Sequence, residues 1–257
     1  MNIVLFSSDE MDESGEVRLA PADSRTKHIR DVLRLGRGAS LRAGVVDGLP
    51  GTAVIRRDTG PGRDSPLVLQ FNPDETMRPQ PPLPYVDLLV GSVRPIQLKR
   101  LLRDLASMGV SRVVVATAEL SEASYVRSNM WDPGRIRQLC IEGASQGGHT
   151  QLPEVSRCTS IGDALASLRS IYESQATGSV FHVRLERGAP AASETTVLAG
   201  IRRVLLAIGP ERGFTEREIR LLDEAGFEQL GIPGGILRTE TAATAAVCIA
   251  RSWATYR

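Results

Sequence analysis

Five prolines (Pro73, Pro79, Pro81, Pro82 and Pro84) crowd the stretch from Asn72 to Pro84 in a chain of 257 residues. Proline fixes φ and carries no amide hydrogen, so such a stretch joins neither the interior of a helix nor that of a sheet. It reads as an extended linker; a long loop inside one domain is the alternative. The hydrophobic pattern changes across it. Residues 1–72 read as a small β-rich domain, 73–84 as the linker, and 85–257 as a domain of alternating strands and helices.

In the first part, Ile3–Phe6 is a short apolar run. Ser24–Leu35 has helical spacing, with Ile29, Val32 and Leu33 on one face. Leu41–Val46 and Thr52–Ile55 flank Asp47-Gly48, a hairpin signal, and Leu67–Phe71 is a further strand. In the second part, Tyr85–Val90 predicts a strand and Pro95 the first turn of a helix. Leu98, Leu101, Leu102, Leu105 and Met108 form its apolar stripe. Gly109 ends it, and Arg112–Ala116 returns as a parallel strand. Asp132-Pro133 opens a helix through Ile136, Leu139 and Cys140. Ser160 and Asp163 cap another, and Ser179–Leu185 and Arg203–Ile208 are strands. An α/β fold with a parallel sheet follows.

Composition removes several classes. Hydrophobic content of 42% with 24% charged residues excludes a mostly disordered chain, a collagen and a disulfide miniprotein. The net charge of +1 excludes a globally basic nucleic-acid binder. A local patch is another matter. Arg18, Arg25, Lys27, Arg30, Arg34, Arg37 and Arg42 face only Asp23 and Asp31, a local excess of five positive charges. Folded RNA, recognised by shape and phosphate, suits such a patch; at 4% aromatics, stacking platforms do not. A solvated face is the bland reading. Cys140, Cys158 and Cys248 are scattered and never form a CxxC pair, which fits a reducing cytoplasm and offers no zinc site. No carboxylate cluster calls for a metal, and no apolar run reaches the ~20 residues of a membrane span. Met1–Phe6 is too short for a signal peptide.

The strongest local signature lies near the carboxyl terminus. Arg203–Ile208 runs into Gly209-Pro210-Glu211-Arg212-Gly213-Phe214, and Thr215 with Glu218 forms a capping box. Gly226 is placed to end the helix, with Phe227 and Leu222 set for a Schellman contact. Phe227–Ile232 is the next strand. It leads to Pro233-Gly234-Gly235 and then to Ile236-Leu237-Arg238-Thr239-Glu240-Thr241-Ala242. Two glycine loops at the ends of successive strands can wall one pocket where ligand meets backbone. Tight connections without a ligand are the alternative. The Ala-rich final helix reads equally as a core helix or as a close-packing face of a dimer.

The pair I-G-P-E-x-G-F (Ile208–Phe214) and I-L-R-T-E-T-A (Ile236–Ala242) resembles the RsmE family. These are uridine-N3 methyltransferases of small-subunit ribosomal RNA within the SPOUT superfamily. His28, Val32, Leu33 and Arg34, then Gly91, Ser92 and Arg94, and the Met108–Arg112 segment are similar too, so the likeness spans the chain. It implies a PUA-like RNA-binding β-barrel at the amino terminus, a carboxyl-terminal trefoil knot, S-adenosylmethionine as cofactor and a homodimer. By motif, the cofactor contacts are Gly209, Pro210, Glu211, Gly213, Leu230, Gly231, Ile232, Ile236, Leu237 and Arg238. A strand end within His182–Leu185 supplies a third wall. Arg25, Lys27, His28, Arg30, Arg34 and Arg37 are the RNA-binding candidates.

The chain departs from the family pattern at Arg212, at Ser145-Gln146-Gly147-Gly148-His149, at Asp104 and Ser107, and at Leu120. Family drift and a changed RNA target both account for this. Uridine N3 must lose a proton as methyl arrives. Alignment and stabilisation of the uracil anion are what an enzyme adds. Arg238 is the candidate cation, and Glu240 or Glu211 the proton acceptor; structural ion pairs are the alternative for each. A hydrolase reading rests on Gly143-Ala144-Ser145-Gln146-Gly147 with Asp163 and His182, but that motif needs a strand before the serine, and 135–142 reads as helix. There is no G-x-G-x-x-G or P-loop. A non-catalytic RNA-binding protein is the remaining rival.

Overall fold

The computed structural model describes residues 1–58, 65–77, 85–122, 124–125, 128–174, 180–186, 189, 202–232 and 235–255. Contacts divide the chain into two units, Met1–Gln80 with Ile141–Leu152, and Pro81–Cys140 with Pro153–Arg257.

The first unit is a five-stranded mixed sheet. Its strands are β1 (Val4–Phe6), β2 (Glu16–Leu19), β3 (Ser40–Val45), β4 (Pro50–Asp58) and β5 (Leu67–Pro73), in the order β1-β3-β4-β5-β2. β1 runs parallel to β3; the other pairs are antiparallel. The Asp47-Gly48 hairpin forms, with Asp47 at φ 58°. Alternate residues Val17, Leu19, Leu41, Ala43, Ala53, Ile55, Leu67, Leu69 and Phe71 close one core with Phe6 and Ile29. Residues 141–152 belong here because Ile141, Ala144 and Leu152 share a cluster with Ile3, Leu5 and Val46.

Two expectations need correcting. The helix predicted over Ser24–Leu35 is a single α-turn, α1 (Ser24–Lys27), continued by a π-turn over His28–Val32. Leu33 donates to His28 O, five residues back, at 2.9 Å. The wider turn breaks the 3.6-residue repeat, so Ile29 is buried while Val32 and Leu33 are exposed. Second, the proline-rich stretch begins inside the sheet. Pro73 ends β5 opposite Gly51. It is tolerated there because β2 pairs only with Leu67–Gln70 and Phe71 N then bonds to Gly15 O, so Pro73 lies past the end of that pairing. Residues 78–84 lie outside the described residues.

The second unit is a six-stranded parallel sheet. Its strands are β6 (Tyr85–Gly91), β7 (Arg112–Ala116), β8 (Glu154–Cys158), β9 (Val180–Leu185), β10 (Arg203–Ile208) and β11 (Glu228–Leu230), in the order β11-β9-β10-β6-β7-β8. The helices are α2 (Pro95–Ser107), α3 (Pro133–Gly147, shared with the first unit), α4 (Ile161–Ser174), α5 (Glu216–Glu224) and α6 (Thr239–Thr255). Leu98, Leu101, Leu102 and Leu105 bury the predicted stripe of α2. One face of the sheet packs with α2 and α6, and the other with α4 and α5. Toward the amino-terminal ends of the strands, fully buried Asp87 accepts from Arg203 at 2.7 Å, Tyr172 at 2.8 Å and Arg112 at 3.3 Å. These bonds join β6, β7, β10 and α4. The strand predicted over Phe227–Ile232 is shorter, three residues plus a bridge at Gly231.

Candidate functional site

Because the sheet is parallel, β6, β7, β9, β10 and β11 all end on one edge, at Gly91, Ala116, Leu185, Ile208 and Leu230. Open α/β sheets bind ligands outside that edge. The central strands there are β10 and β6, paired from Arg203↔Tyr85 to Ile208↔Val90.

The loop Gly209–Thr215 leaves β10 and is held tightly. Gly213 donates to Pro210 O at 2.8 Å and has φ +77°, where a side chain is strained. A Cβ on Gly91 would sit 2.4 Å from Pro210 Cδ, so the loop lies directly on the end of β6. The helix after it starts and stops as its sequence predicts. Thr215 and Glu218 form the capping box of α5. At the other end Gly226 (φ +82°) donates to Asp223 O and Phe227 to Leu222 O, a Schellman motif with Leu222 and Phe227 buried together.

The start of α6 meets the first loop through the Thr239 side chain. Thr239, at the start of α6 and buried, donates its hydroxyl to Gly209 O at 3.3 Å. The other wall of this edge is β9 with β11, where Leu230 is buried and Glu186 N donates to Leu230 O. Gly231 is buried and Ile232 half-buried. Ile236, Leu237 and Arg238 stand exposed; Ile236 is 78% exposed, unusual for an isoleucine. Pro233-Gly234 of the predicted loop lies outside the described residues.

Three acids surround this edge. Glu240 lies in the first turn of α6, 8% exposed, and its Oε2 is shielded from solvent with no hydrogen-bond partner among the described residues. Burial, then the neighbouring Glu240 carboxylate, push the Asp104 carboxyl above its ordinary range, so α2 sets Asp104 beside α6. Glu211 is exposed. Arg94 donates to Tyr125 OH at 3.3 Å; that bond and then the field of Glu211 hold its guanidinium charged. Sequence reasoning marked Asp104 only as a departure. The bond from Thr239 to Gly209 and the Asp104–Glu240 neighbourhood had no signal in it, since each joins residues far apart along the chain.

In the first unit the basic segment separates into two kinds of residue. Lys27, Arg34 and Arg37 are exposed, as are Arg18 and Arg42. Arg25 is instead engaged inside the unit. It donates to Glu10 at 2.5 Å, Asp23 at 2.7 Å and Leu5 O at 2.9 Å. Arg30 donates to Ser65 O at 3.0 Å. His28 Nε2 and both ring nitrogens of His149 are shielded from solvent and have no hydrogen-bond partner among the described residues.

The hydrolase alternative does not assemble. Ser145 sits within α3 and not after a strand, and its hydroxyl donates to Ile3 O. Asp163 is bonded to Thr159 and Ser160, and His182 Nδ1 lies 2.9 Å from Ala225 O. Among the described residues no group of three His, Cys, Asp or Glu is placed to hold a metal, and no helix is long and apolar enough to cross a membrane.

Known proteins share this arrangement. A family model described as an RNA methyltransferase domain matches residues 79–251. The ribosomal RNA small subunit methyltransferase E of Treponema pallidum is 34% identical over 97% of this chain and 90% of its own length. The ribosomal RNA small subunit methyltransferase E 1 of Borreliella burgdorferi is 27% identical over 98% of each chain. In structure, the ribosomal RNA small subunit methyltransferase E of Neisseria gonorrhoeae, bound to S-adenosyl methionine, superposes with a TM-score of 0.72 at 19% identity, covering 98% of this chain and 97% of that one. A protein of Legionella pneumophila in complex with the same cofactor gives 0.72 at 21% identity, with the same coverage. By a family model over most of its length and by sequence across nearly all of it, this chain belongs to the RsmE family of RNA methyltransferases.

Proposed function

We propose that this chain transfers the methyl group of S-adenosylmethionine to N3 of a uridine in small-subunit ribosomal RNA. The observation that carries the reading is the pairing of Gly209–Thr215 with the start of α6 at the carboxyl edge of the parallel sheet, joined by Thr239 and Gly209. The residues fit the cofactor. Glycines keep Cβ atoms off the loop backbone, exposed Ile236 and Leu237 offer apolar cover to an adenosyl group, and buried Glu240 keeps one carboxylate oxygen without a partner among the described residues. When bound, S-adenosylmethionine supplies an electrophilic methyl group on a sulfonium.

The protein supplies the rest. Gly209, Pro210, Glu211 and Gly213 with Leu230, Gly231 and Ile232 would hold the cofactor through backbone groups and close contacts, as would Ile236, Leu237 and Arg238. Glu240 is the first candidate to take the N3 proton, because one of its oxygens has no partner among the described residues. Glu211 is the second. Exposed Arg238 would stabilise the uracil anion as it forms. RNA affinity would come from Lys27, His28, Arg34 and Arg37, with Arg30 beside them, while Arg25 fixes the segment that presents them. The same reading includes a PUA-like barrel for the first unit, a trefoil knot around the cofactor loops, and a homodimer.

The test is transfer of tritiated methyl to purified small ribosomal subunits and to free ribosomal RNA, with the product nucleotide identified. Methyl on uridine N3 is expected. Methyl on another base would overturn the target and leave the methyltransferase class. A protein that binds the RNA but shows no calorimetric binding of the cofactor would be a non-catalytic binder.

A further inference from the structure

Glu218 is 3% exposed although it stands in the first turn of α5. A capping-box glutamate has one task, to accept the amide of its own N-cap. Here Oε2 does so, from Thr215 N at 2.9 Å, but Oε1 accepts from Glu119 N at 2.8 Å, 99 residues away. Glu119 belongs to the loop after β7. Its own carboxylate accepts from Thr215 Oγ1 at 2.7 Å and from Arg217 at 3.0 Å. That loop is tied on its other side as well, since Ser121 Oγ donates to Ser92 O, just after β6, at 2.9 Å. A hydrogen-bonded path therefore crosses the edge of the sheet. It runs from the loop after β6, through the loop after β7, to the loop after β10 that carries Gly209–Gly213.

We propose that Glu218 is a positioning residue for methyl transfer, one that locks the cofactor loop against the loop after β7 before any ligand arrives. The proposal rests on the reading that Gly209–Gly213 holds S-adenosylmethionine. Burial of a carboxylate is costly unless its oxygens are bonded, and a helix cap alone needs no bond to a second loop. With both amides accepted by one rigid acid, the backbone of Gly209–Thr215 cannot shift relative to β7 and is preorganised for binding. The same lock fixes Leu120, exposed beside Glu119.

The experiment uses the full chain and S-adenosylhomocysteine as calorimetric probe, with melting temperature measured in parallel. Glu218→Gln keeps size and burial but turns an amide NH2 toward one of the two backbone N–H groups. Its Kd for the probe is expected to rise about tenfold, the scale of one lost charge-assisted hydrogen bond. KM for S-adenosylmethionine should rise with it, while kcat at saturation stays within about threefold. A variant that melts earlier yet binds the probe as the wild type does would show a helix cap only, and overturn the proposal. Should Glu218→Gln not fold, Glu119→Ala and Thr215→Val cut the same path from its outer side; unchanged Kd in both, with the fold intact, also overturns it. Wild-type protein that fails to bind the probe at millimolar concentration would instead remove the cofactor reading, and this proposal with it.

Discussion

The chain enters the left-handed backbone region in two functionally loaded places and treats them oppositely. After β10 the residue is Gly213, at φ +77°; after the π-turn it is Arg34, at φ +53°. At the first, local rules agree. A glycine takes the left-handed position, a capping box starts the next helix, and a Schellman motif ends it. At the second, a residue with a Cβ is held where it costs about 1–2 kcal/mol, and the predicted helical face breaks into one buried and two exposed apolar residues. Under the proposed function, the difference follows from what each turn presents. A loop that grips a ligand with main-chain atoms gains from having no side chain. A turn that offers a cation to phosphate must keep one and accept the strain.

The comparison breaks most readily at Gly91. Its added Cβ would lie 2.4 Å from Pro210 Cδ and 2.8 Å from Pro210 N, where ring and backbone have little room to move. Gly91→Ala is expected to lose about 3 kcal/mol in urea unfolding, the upper part of the overpacking range, and to lose cofactor binding. Full retention of both would mean that the β10 loop is not held by this contact. Gly213→Ala separates strain from clash, because a Cβ there meets nothing within 4 Å. The expected loss is about 1–2 kcal/mol, with weaker cofactor binding. Gly213→Asn should recover part of both, since asparagine tolerates that region better. An alanine variant as stable as wild type would show that the loop relaxes to another conformation.

How much of this the sequence discloses depends on how local each cause is. The second unit was legible nearly throughout. The stripe of α2, the caps of α5 and the Gly226 stop depend on residues within about one helical turn of each other. β2 and β8 are hard to read for physical reasons: β2 alternates, but over only four residues, and β8 sits at the sheet edge with no residue fully buried and so lacks an alternating pattern. The π-turn is invisible because Ser24–Leu35 has helical spacing that tertiary packing of Ile29 overrides. At the candidate site both loops could be read as glycine motifs. The bonds from Thr239 to Gly209 and from Glu119 to Glu218 could not, because nothing in local spacing pairs residues so far apart.

The first unit also stores charge, and its pH dependence sharpens the contrast with the glycine loop. Hydrogen bonds from Arg25, against the opposing effect of burial, hold the Glu10 carboxyl below its ordinary 4.5. A carboxylate depressed in the folded state stabilises above its unfolded pKa, and that contribution fades as pH falls through the lower, folded value. Glu10 is 34% exposed, so solvent screening limits the effect to about 1 kcal/mol or less. Wild type should therefore exceed Glu10→Gln in stability at pH 6, with the gap closing below about pH 4.5. A gap independent of pH would assign the loss to packing or to the bond with Ser7 N.

Arg34→Gly gives the smallest stability change and the most discriminating result. Glycine relieves the left-handed strain but gains freedom in the unfolded chain, so the two effects nearly offset and leave a net gain of about 0.5 kcal/mol. If Arg34 is kept for phosphate, the stabilised variant should bind ribosomal RNA more weakly, and the slope of log K against log salt should fall by about 1. The solvated-face reading predicts the same stabilisation with RNA affinity and salt slope unchanged. Opposite signs for stability and binding at one residue would mean that the strain is maintained by the need for a cation there. Matching signs would trace it to the chain's path out of the π-turn.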